Sequence, residues 1–360
     1  MVTKTYTYKI KPNKSLERKF YEQIGVCRYV YNTAIETREE SFRKGLKINY
    51  YDLSKQLTEA KKEFKWLTQV HSQTLQATLE RLENGYKKFY SDLKKGVKTS
   101  KPKFARKDKW NSLPFKSIKA SNNCFELPKF GKVKVFKFKH PKGELRTASI
   151  IKEADGLYLK VVVKEEGQIR ESQSICAIDM GITFFLTTSD GEFVDNPKHL
   201  FKYLKKLRIE NRKLSRMKKG GKNFKKQVEV LKRVHQKVAR VRKDFLHKQS
   251  RKLANEYGTV IREDLNIQKM TKDSKLAKHI LDCSWGMFFE FLDYKTNVVK
   301  VNPSYTSQKC SKCGHTCKEN RKTQSLFECV NCNFSENADL QATFNILQLG
   351  QQLMEANVGQ

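Results

Sequence analysis

The chain has 360 residues, enough for two or three domains with real hydrophobic cores. Lys and Arg number 73 against 38 Asp and Glu, a formal charge of +35. Such an excess repels itself unless a polyanion offsets it, and nucleic acid is an abundant intracellular one. No uninterrupted apolar run approaches the roughly 20 residues that span a bilayer as a helix, and no membrane partner is expected. The opening MVTKTYTYKIKPNKS lacks the apolar stretch of a secretory signal. The nine cysteines are an odd number, and Cys27, Cys124, Cys176, Cys283 and Cys317 fall outside any paired pattern. That favours a reducing compartment, cytoplasmic and nucleoid-associated (the nucleus in a eukaryotic host), over a disulfide framework.

In chain order, TKTYTYKIKP alternates and predicts a strand that ends at Pro12. From Ser15 to about Leu93 the period becomes helical. Leu16, Phe20, Ile24 and Cys27 recur at steps of three and four, and further helices are predicted over 51–64 and 73–93. The Lys-rich KKGVKTSKPKFARKDK breaks this pattern. Strands are predicted from about Ser112 to Glu166: FELPKFGKVKVFKF alternates, and TASIIKE and LYLKVVVKE flank Ala154-Asp155-Gly156, a hairpin signal. The N-terminal half therefore reads as a strand-rich unit with a helical block inserted after its first strand.

A second regime begins near Ser174. SICAIDMGITFFLTTSDGEFV is two apolar runs joined by Gly181, with a turn at Asp190-Gly191. Residues 199–252 are dense in Lys and Arg, yet Leu200, Leu204, Leu207 and Leu214, then Val228, Leu231, Val234, Val238 and Phe245, keep a helical step on either side of Gly220-Gly221. This predicts an antiparallel helical hairpin whose basic outer face meets phosphate.

Two constellations carry chemistry. CSKC and CVNC place Cys310, Cys313, Cys329 and Cys332 at zinc-ribbon spacing, and four thiolates would close a tetrahedron around a structural Zn²⁺ with no open position. His315 and Cys317 lie nearby but outside the pairing. Three acids also end or begin elements: Asp179 after the run SICAI, Glu263 at the end of TVIRE, and Asp339 at the head of ADLQATFNILQ. Each alone is a common turn or cap residue. Converging, they would suit two Mg²⁺ ions, because hard carboxylate oxygens hold that cation while it binds substrate phosphate, the chemistry of a nuclease or strand-transfer enzyme.

The stretches AIDMGITFFLTTSDG, REDLNIQKM, NPSYTSQKCSKCGH and CVNCNFSENADLQATFNIL, in that order over about residues 174–350, resemble the TnpB family. These are insertion-sequence-encoded proteins related to type V CRISPR effectors and Fanzor proteins. FFEFLDYKT looks like the family's linking helix, and YVYNTAIE and SQTLQATLERLENGYKKFY are similar to its recognition region. The resemblance implies an α+β multidomain chain. A wedge-type β-barrel from 1–14 and 100–170 would carry a helical recognition lobe at 15–99. An RNase H-like RuvC nuclease domain (α/β) from 171–308 and 334–360, including the basic hairpin, would be interrupted by a zinc ribbon at 309–333. It implies catalysis by Asp179, Glu263 and Asp339 with Mg²⁺. It also implies a guide RNA and cleavage of double-stranded DNA beside a short motif, by a monomer on one RNA. Asp264 would point to the other face if the strand continues.

The sequence departs from the family at Asn333, where Gly is usual, at Ala338, where Arg often precedes the last acid, and at Gln341, where Asn is usual. Asn tolerates the left-handed backbone a knuckle needs. Tyr51, Ser72, Gln73 and Gln76 either lie where the family's recognition lobe tends to contact duplex bases, where Gln can read adenine bidentately, or are polar residues of a solvated helix face. Trp110 and Phe115, interleaved with Lys107, Lys109 and Lys116, either stack on RNA bases or belong to the barrel core. Two rival functions remain: a guided DNA-binding repressor that does not cut, and an accessory or joining protein of transposition. The intact acids argue against the first, and the lack of a Tyr or Ser nucleophile motif argues against the second.

Overall fold

A computed structural model describes residues 2–166, 173–272 and 275–358. The chain divides into two units, Met1–Glu166 and Gly167–Gln360. The expected junction at 170/171 lies outside the described residues, as do 359 and 360.

In the first unit, β1 (Val2–Lys9) leads into three helices, α1 (Lys14–Arg43), α2 (Tyr50–Glu63) and α3 (Ser72–Lys94), with a 3₁₀ turn at Lys65–Gln69. The first helix starts where Asn13 Oδ1 accepts from the backbone N–H of Ser15 and Leu16. The second starts at a capping box, in which Asn49 and Asp52 satisfy each other's backbone donors. α1 buries Phe20, Ile24, Cys27 and Val30, the residues whose spacing predicted it. The strands that follow are β2 (Ser112–Phe115), β3 (Lys119–Ser121), β4 (Cys124–Leu127), β5 (Gly131–Lys134), β6 (Glu144–Glu153) and β7 (Gly156–Glu165). They form an antiparallel sheet in the order β1-β7-β6-β2 and a smaller one, β3-β4-β5, joined by an isolated bridge between Ile10 and Val135. Both sheets share one hydrophobic core with the helices. The expected hairpin forms between β6 and β7, with Ala154-Asp155 as its connection and Gly156, at φ +141°, opening the second strand.

The second unit is built on a five-stranded sheet. Its strands are β8 (Ile175–Met180), β9 (Phe184–Thr188), β10 (Phe193–Asp195), β11 (Thr259–Glu263) and β12 (Asn297–Val301), in the order β10-β9-β8-β11-β12. The first three run antiparallel, and β11 runs parallel to both β8 and β12. The basic hairpin, α4 (His199–Ser215) and α5 (Lys222–Glu256), connects β10 to β11. Leu207, Val234 and Val238 are buried in it, and Arg242 on α5 pairs with the buried Asp282 at 2.6 Å. Short helices α6 (Ile267–Lys272), α7 (Ala277–Cys283) and α8 (Trp285–Asp293) precede β12. The hairpin β13 (Leu326–Glu328) and β14 (Ser335–Asn337), after a 3₁₀ turn at Lys318–Asn320, leads into the last helix, α9 (Ala338–Val358).

β8 and β11 read as continuous apolar runs because both faces of this sheet are covered. Cys176, Ile178 and Val260 pack with Leu246 and Leu253 of α5 and Phe288 and Leu292 of α8. Ala177 and Ile261 pack with Ile346 of α9. α9 lies so close that a Cβ at Gly350 would stand 2.4 Å from Ile261 Cδ1.

Candidate active site and metal centre

Period-two alternation decides where the acids go. β8 and β11 are in parallel register through Ile178↔Arg262, so the next residues along, Asp179 and Glu263, end neighbouring strands. They follow the parity of Ala177 and Ile261 and so share the face that α9 covers. Arg262, of opposite parity, is buried on the other face with its guanidinium 3.9 Å from the centre of the Phe289 ring. Asp339 arrives in the first turn of α9, whose start is fixed by Asn337 Oδ1 accepting from the N–H of Asp339 and Leu340. The helix N-terminus favours a negative charge there. The C-terminal ends of parallel strands are the usual place for a ligand crevice in an open α/β sheet. Asp179, Glu263 and Asp339 line such a cleft of about 610 Å³, together with Gly181, Trp285, Thr306 and Arg321. Asp264 is exposed.

The carboxylates feel one another. Burial, then the charges of Glu263 and Asp339, push Asp179 up to about 7, with Arg321 opposing. Burial raises Glu263 against a hydrogen bond from Thr306, and raises Asp339 against the pull of Arg321. A site where burial raises three acids, and like charge raises Asp179 further, is one that a bound cation would relieve, and the all-oxygen donor set suits a hard divalent ion. The acids are less tightly gathered than the cysteines: among the described residues, only the four cysteines bring their ligand atoms within 4.8 Å of one another.

Arg321 escaped the sequence reading. Its Nη2 donates to Asp339 Oδ1 at 3.1 Å and to the Gln324 carbonyl at 3.1 Å. The position before Asp339, Ala338, is buried against Phe327 and Cys329, which leaves no room for the Arg often found there. A guanidinium reaches the acid from the loop between the two cysteine pairs instead. Its only trace in the sequence is the basic run NRK, one of many in this chain.

The cysteines meet as their spacing predicts. Cys310 and Cys332 Sγ are 3.7 Å apart and Cys313 and Cys329 Sγ 3.5 Å. Zn–S bonds of about 2.3 Å place tetrahedral thiolates about 3.8 Å apart, whereas a disulfide needs about 2.05 Å, so the cluster fits structural zinc. The backbone N–H of His315 and the neighbouring thiols pull the Cys313 thiol down, while the same crowding of sulfurs pushes the Cys332 thiol up. The two knuckles turn through Gly314 (φ +75°) and Asn333 (φ +53°), so Asn does adopt the left-handed geometry. Cys317 is directed to Glu319 and takes no part in the cluster.

The residues expected to read nucleic acid divide into two kinds. Tyr51, at 74% exposure, Ser72, Lys107 and Lys109 are open to solvent. Gln73 and Gln76 are half-buried, and Gln73 Oε1 accepts from Ser117 Oγ at 3.4 Å. Trp110 packs against the core beneath Arg81, and Phe115 is fully buried. Of the two readings for these aromatics, the core one holds for Phe115, whose ring has no free face to stack on RNA.

Fold and cleft together define an α+β protein with an acidic cleft at a strand-end crevice and an adjoining four-cysteine ribbon. Three family profiles match successive parts of it: "Probable transposase" (OrfB_IS605) over 158–274, "Cas12f1-like, TNB domain" over 285–346 and "Helix-turn-helix domain" over 1–47. The last covers a strand and one uninterrupted 30-residue helix. The chain is 29% identical over 96% of its length to the protein named "Putative RNA-guided DNA endonuclease InsQ" of Escherichia coli (strain K12), covering 92% of that protein. It is also 29% identical to a Streptomyces pristinaespiralis protein named "Putative RNA-guided DNA endonuclease", over 97% of this chain and 90% of that one. Its fold is similar to that in "Structure of the mini-RNA-guided endonuclease CRISPR-Cas_phi3", at 11% identity, a TM-score of 0.51, and 97% and 92% coverage of the two chains. In these matches the chain resembles the TnpB family.

Proposed function

We propose that this protein is an RNA-guided DNA endonuclease that cuts with the cleft formed by Asp179, Glu263 and Asp339. The observation that carries this is the convergence of the three acids, from two adjacent strand ends and a helix start, on one cleft in a chain of +35 charge. The near full-length likeness to two proteins named as RNA-guided DNA endonucleases supports the guide. The strand order, with a parallel β8-β11-β12 core and an antiparallel β8-β9-β10 flank, supports an RNase H-like RuvC domain over 171–308 and 334–360, with the zinc ribbon at 309–333. In the first unit the shared core supports a wedge-type barrel from 1–14 and 100–170 around a recognition lobe at 15–99.

In this reading Asp179, Glu263 and Asp339 hold Mg²⁺. When bound, the ions supply Lewis acidity that activates water and offsets charge on the leaving oxygen of a phosphodiester. The chain's own residues do the rest. The Lys- and Arg-rich face of the α4–α5 hairpin attracts the backbone of a nucleic acid. Thr306 and Arg321 hold Glu263 and Asp339 at defined oxygens. Guide pairing reads the target, while polar residues of the recognition lobe, the exposed Tyr51 and Ser72 and the half-buried Gln73 and Gln76, read a short duplex motif. Lys107 and Lys109 contact RNA phosphate.

The test is purification from a host carrying the native locus, sequencing of bound RNA, and a Mg²⁺-dependent cleavage assay on matched DNA. Asp179→Ala should abolish cleavage and spare RNA and DNA binding. RNA-free protein at low salt would overturn guidance, and undiminished cutting by D179A would overturn the site.

A further inference from the structure

The segment between β12 and the first cysteine pair is held in an unusual way. Asn345, 2% exposed on α9, donates from Nδ2 to the carbonyls of Thr306 and Lys309, both at 2.7 Å. One turn earlier Gln341, fully buried, donates to the same Lys309 carbonyl at 3.0 Å and accepts from Ser311 Oγ at 2.8 Å. Cys310 lies between these anchors. At its other end the segment carries Thr306, 4% exposed, whose hydroxyl donates to Glu263 Oε1 and also lies 3.1 Å from the Pro303 carbonyl. A hydroxyl has one proton. An ionised Glu263 is the stronger acceptor and takes it.

Two buried amides on a helix interior are costly unless their bonds are made, and here the N–H donors of both go to the root of the cysteine ribbon, while Asn345 Oδ1 accepts no bond among the described residues. One path therefore runs from the zinc ligand Cys310, through the carbonyls held by α9, to the oxygen of Glu263 that Thr306 holds. Thr306 fixes one carboxylate oxygen and leaves the other for the cleft. Its own place is set by Asn345.

We propose that Thr306 is a positioning residue for Glu263, and that Asn345 sets Thr306 so that the zinc ribbon's root and the strand-end acid keep one geometry. This rests on Glu263 being a metal-holding acid. Partners that orient a ligating carboxylate change metal affinity by about 10–100-fold.

The experiment is a Mn²⁺ titration of the full-length protein, followed by electron paramagnetic resonance, with zinc content and melting temperature measured on each sample. Thr306→Val, nearly the same shape without the hydroxyl, should bind Mn²⁺ at least tenfold more weakly with zinc content unchanged. Thr306→Ser should restore the wild-type affinity. Asn345→Val should weaken Mn²⁺ binding in the same direction without touching Glu263. Glu263→Gln is the reference. If it loses Mn²⁺ while T306V binds as wild type, or if T306S fails as T306V does, the positioning role falls and the cleft stands. An unchanged N345V would remove the link through α9. Should E263Q itself keep wild-type binding, both the role of Thr306 and the reading of the cleft are overturned.

Discussion

Asp179 lies in reach of two other carboxylates, and burial and their charge carry it up to about 7. Without a cation this opposes folding. A carboxyl raised in the folded state holds its proton there and not in the unfolded chain, so stability falls as pH rises from about 4 towards 7. Asp179→Asn should therefore stabilise the magnesium-free protein at pH 8, by on the order of 2 kcal/mol after discounting for solvent screening, and change little below pH 4. Thermal unfolding without chelator, which would strip the cysteine site, measures it; an equal gain at both pH values would contradict it. Arg321 works in the opposite sense, lowering Asp179 and Asp339. In Arg321→Met both acids need a higher pH to ionise, so the acid limb of the cleavage pH–rate profile should move upward. An unmoved limb would leave Arg321 a merely structural contact.

At the scale of elements, α9 combines the tightest packing with the start of the site. Gly350→Ala places a methyl among three atoms of the buried Ile261, at 2.4 to 2.8 Å, and should cost about 1–3 kcal/mol in denaturant unfolding. Asn337→Ala removes the cap beneath Asp339 and should cost about 1 kcal/mol. Much of this scale was legible in the sequence. The three- and four-residue steps of α1 and the apolar runs of β8 and β11 mark their elements, and the C-x-x-C pairs mark the ribbon. What was not legible depends on tertiary partners. The run from Phe125 to Phe138 alternates as one strand would, yet Lys129, at φ +54°, folds it into β4 and β5. Gln341 and Asn345 read as polar residues on a helix, and only the carbonyls they meet explain their burial. Arg321 shares its composition with dozens of surface cations, and nothing local distinguishes it. The three acids were visible as strand-end and helix-start residues. Their convergence followed from the resemblance, and the parallel register of β8 and β11 gives it a physical cause.

For the whole molecule, charge sets the behaviour. A surface neutralising six to ten phosphates loses roughly 10³–10⁵ in affinity between 50 and 200 mM salt, so binding of nucleic acid should weaken over at least about three decades in that range. A nearly flat salt response in equilibrium binding would mean that the excess of 73 cationic over 38 acidic residues faces no polyanion. The ribbon acts at this scale as well, since it joins the end of β12 to the start of α9. Cys329→Ser should lose zinc, melting temperature and cleavage together. A variant that lost zinc yet cut at the normal rate would reduce the cluster to a clip.

The rung that aligns Asp179 with Glu263 also separates what must be kept from what is free to change. Everything between β10 and β11 is a hairpin that leaves the sheet and returns, and its far end is the turn at Gly220-Gly221, where Gly220 has φ +84°. Chain length inserted there adds loop entropy that grows only slowly with length, and it does not enter the spacing of the two strand ends. The tip is thus a natural docking port for a grafted reporter or effector domain, carried outward on two helices while the strands beneath keep their register.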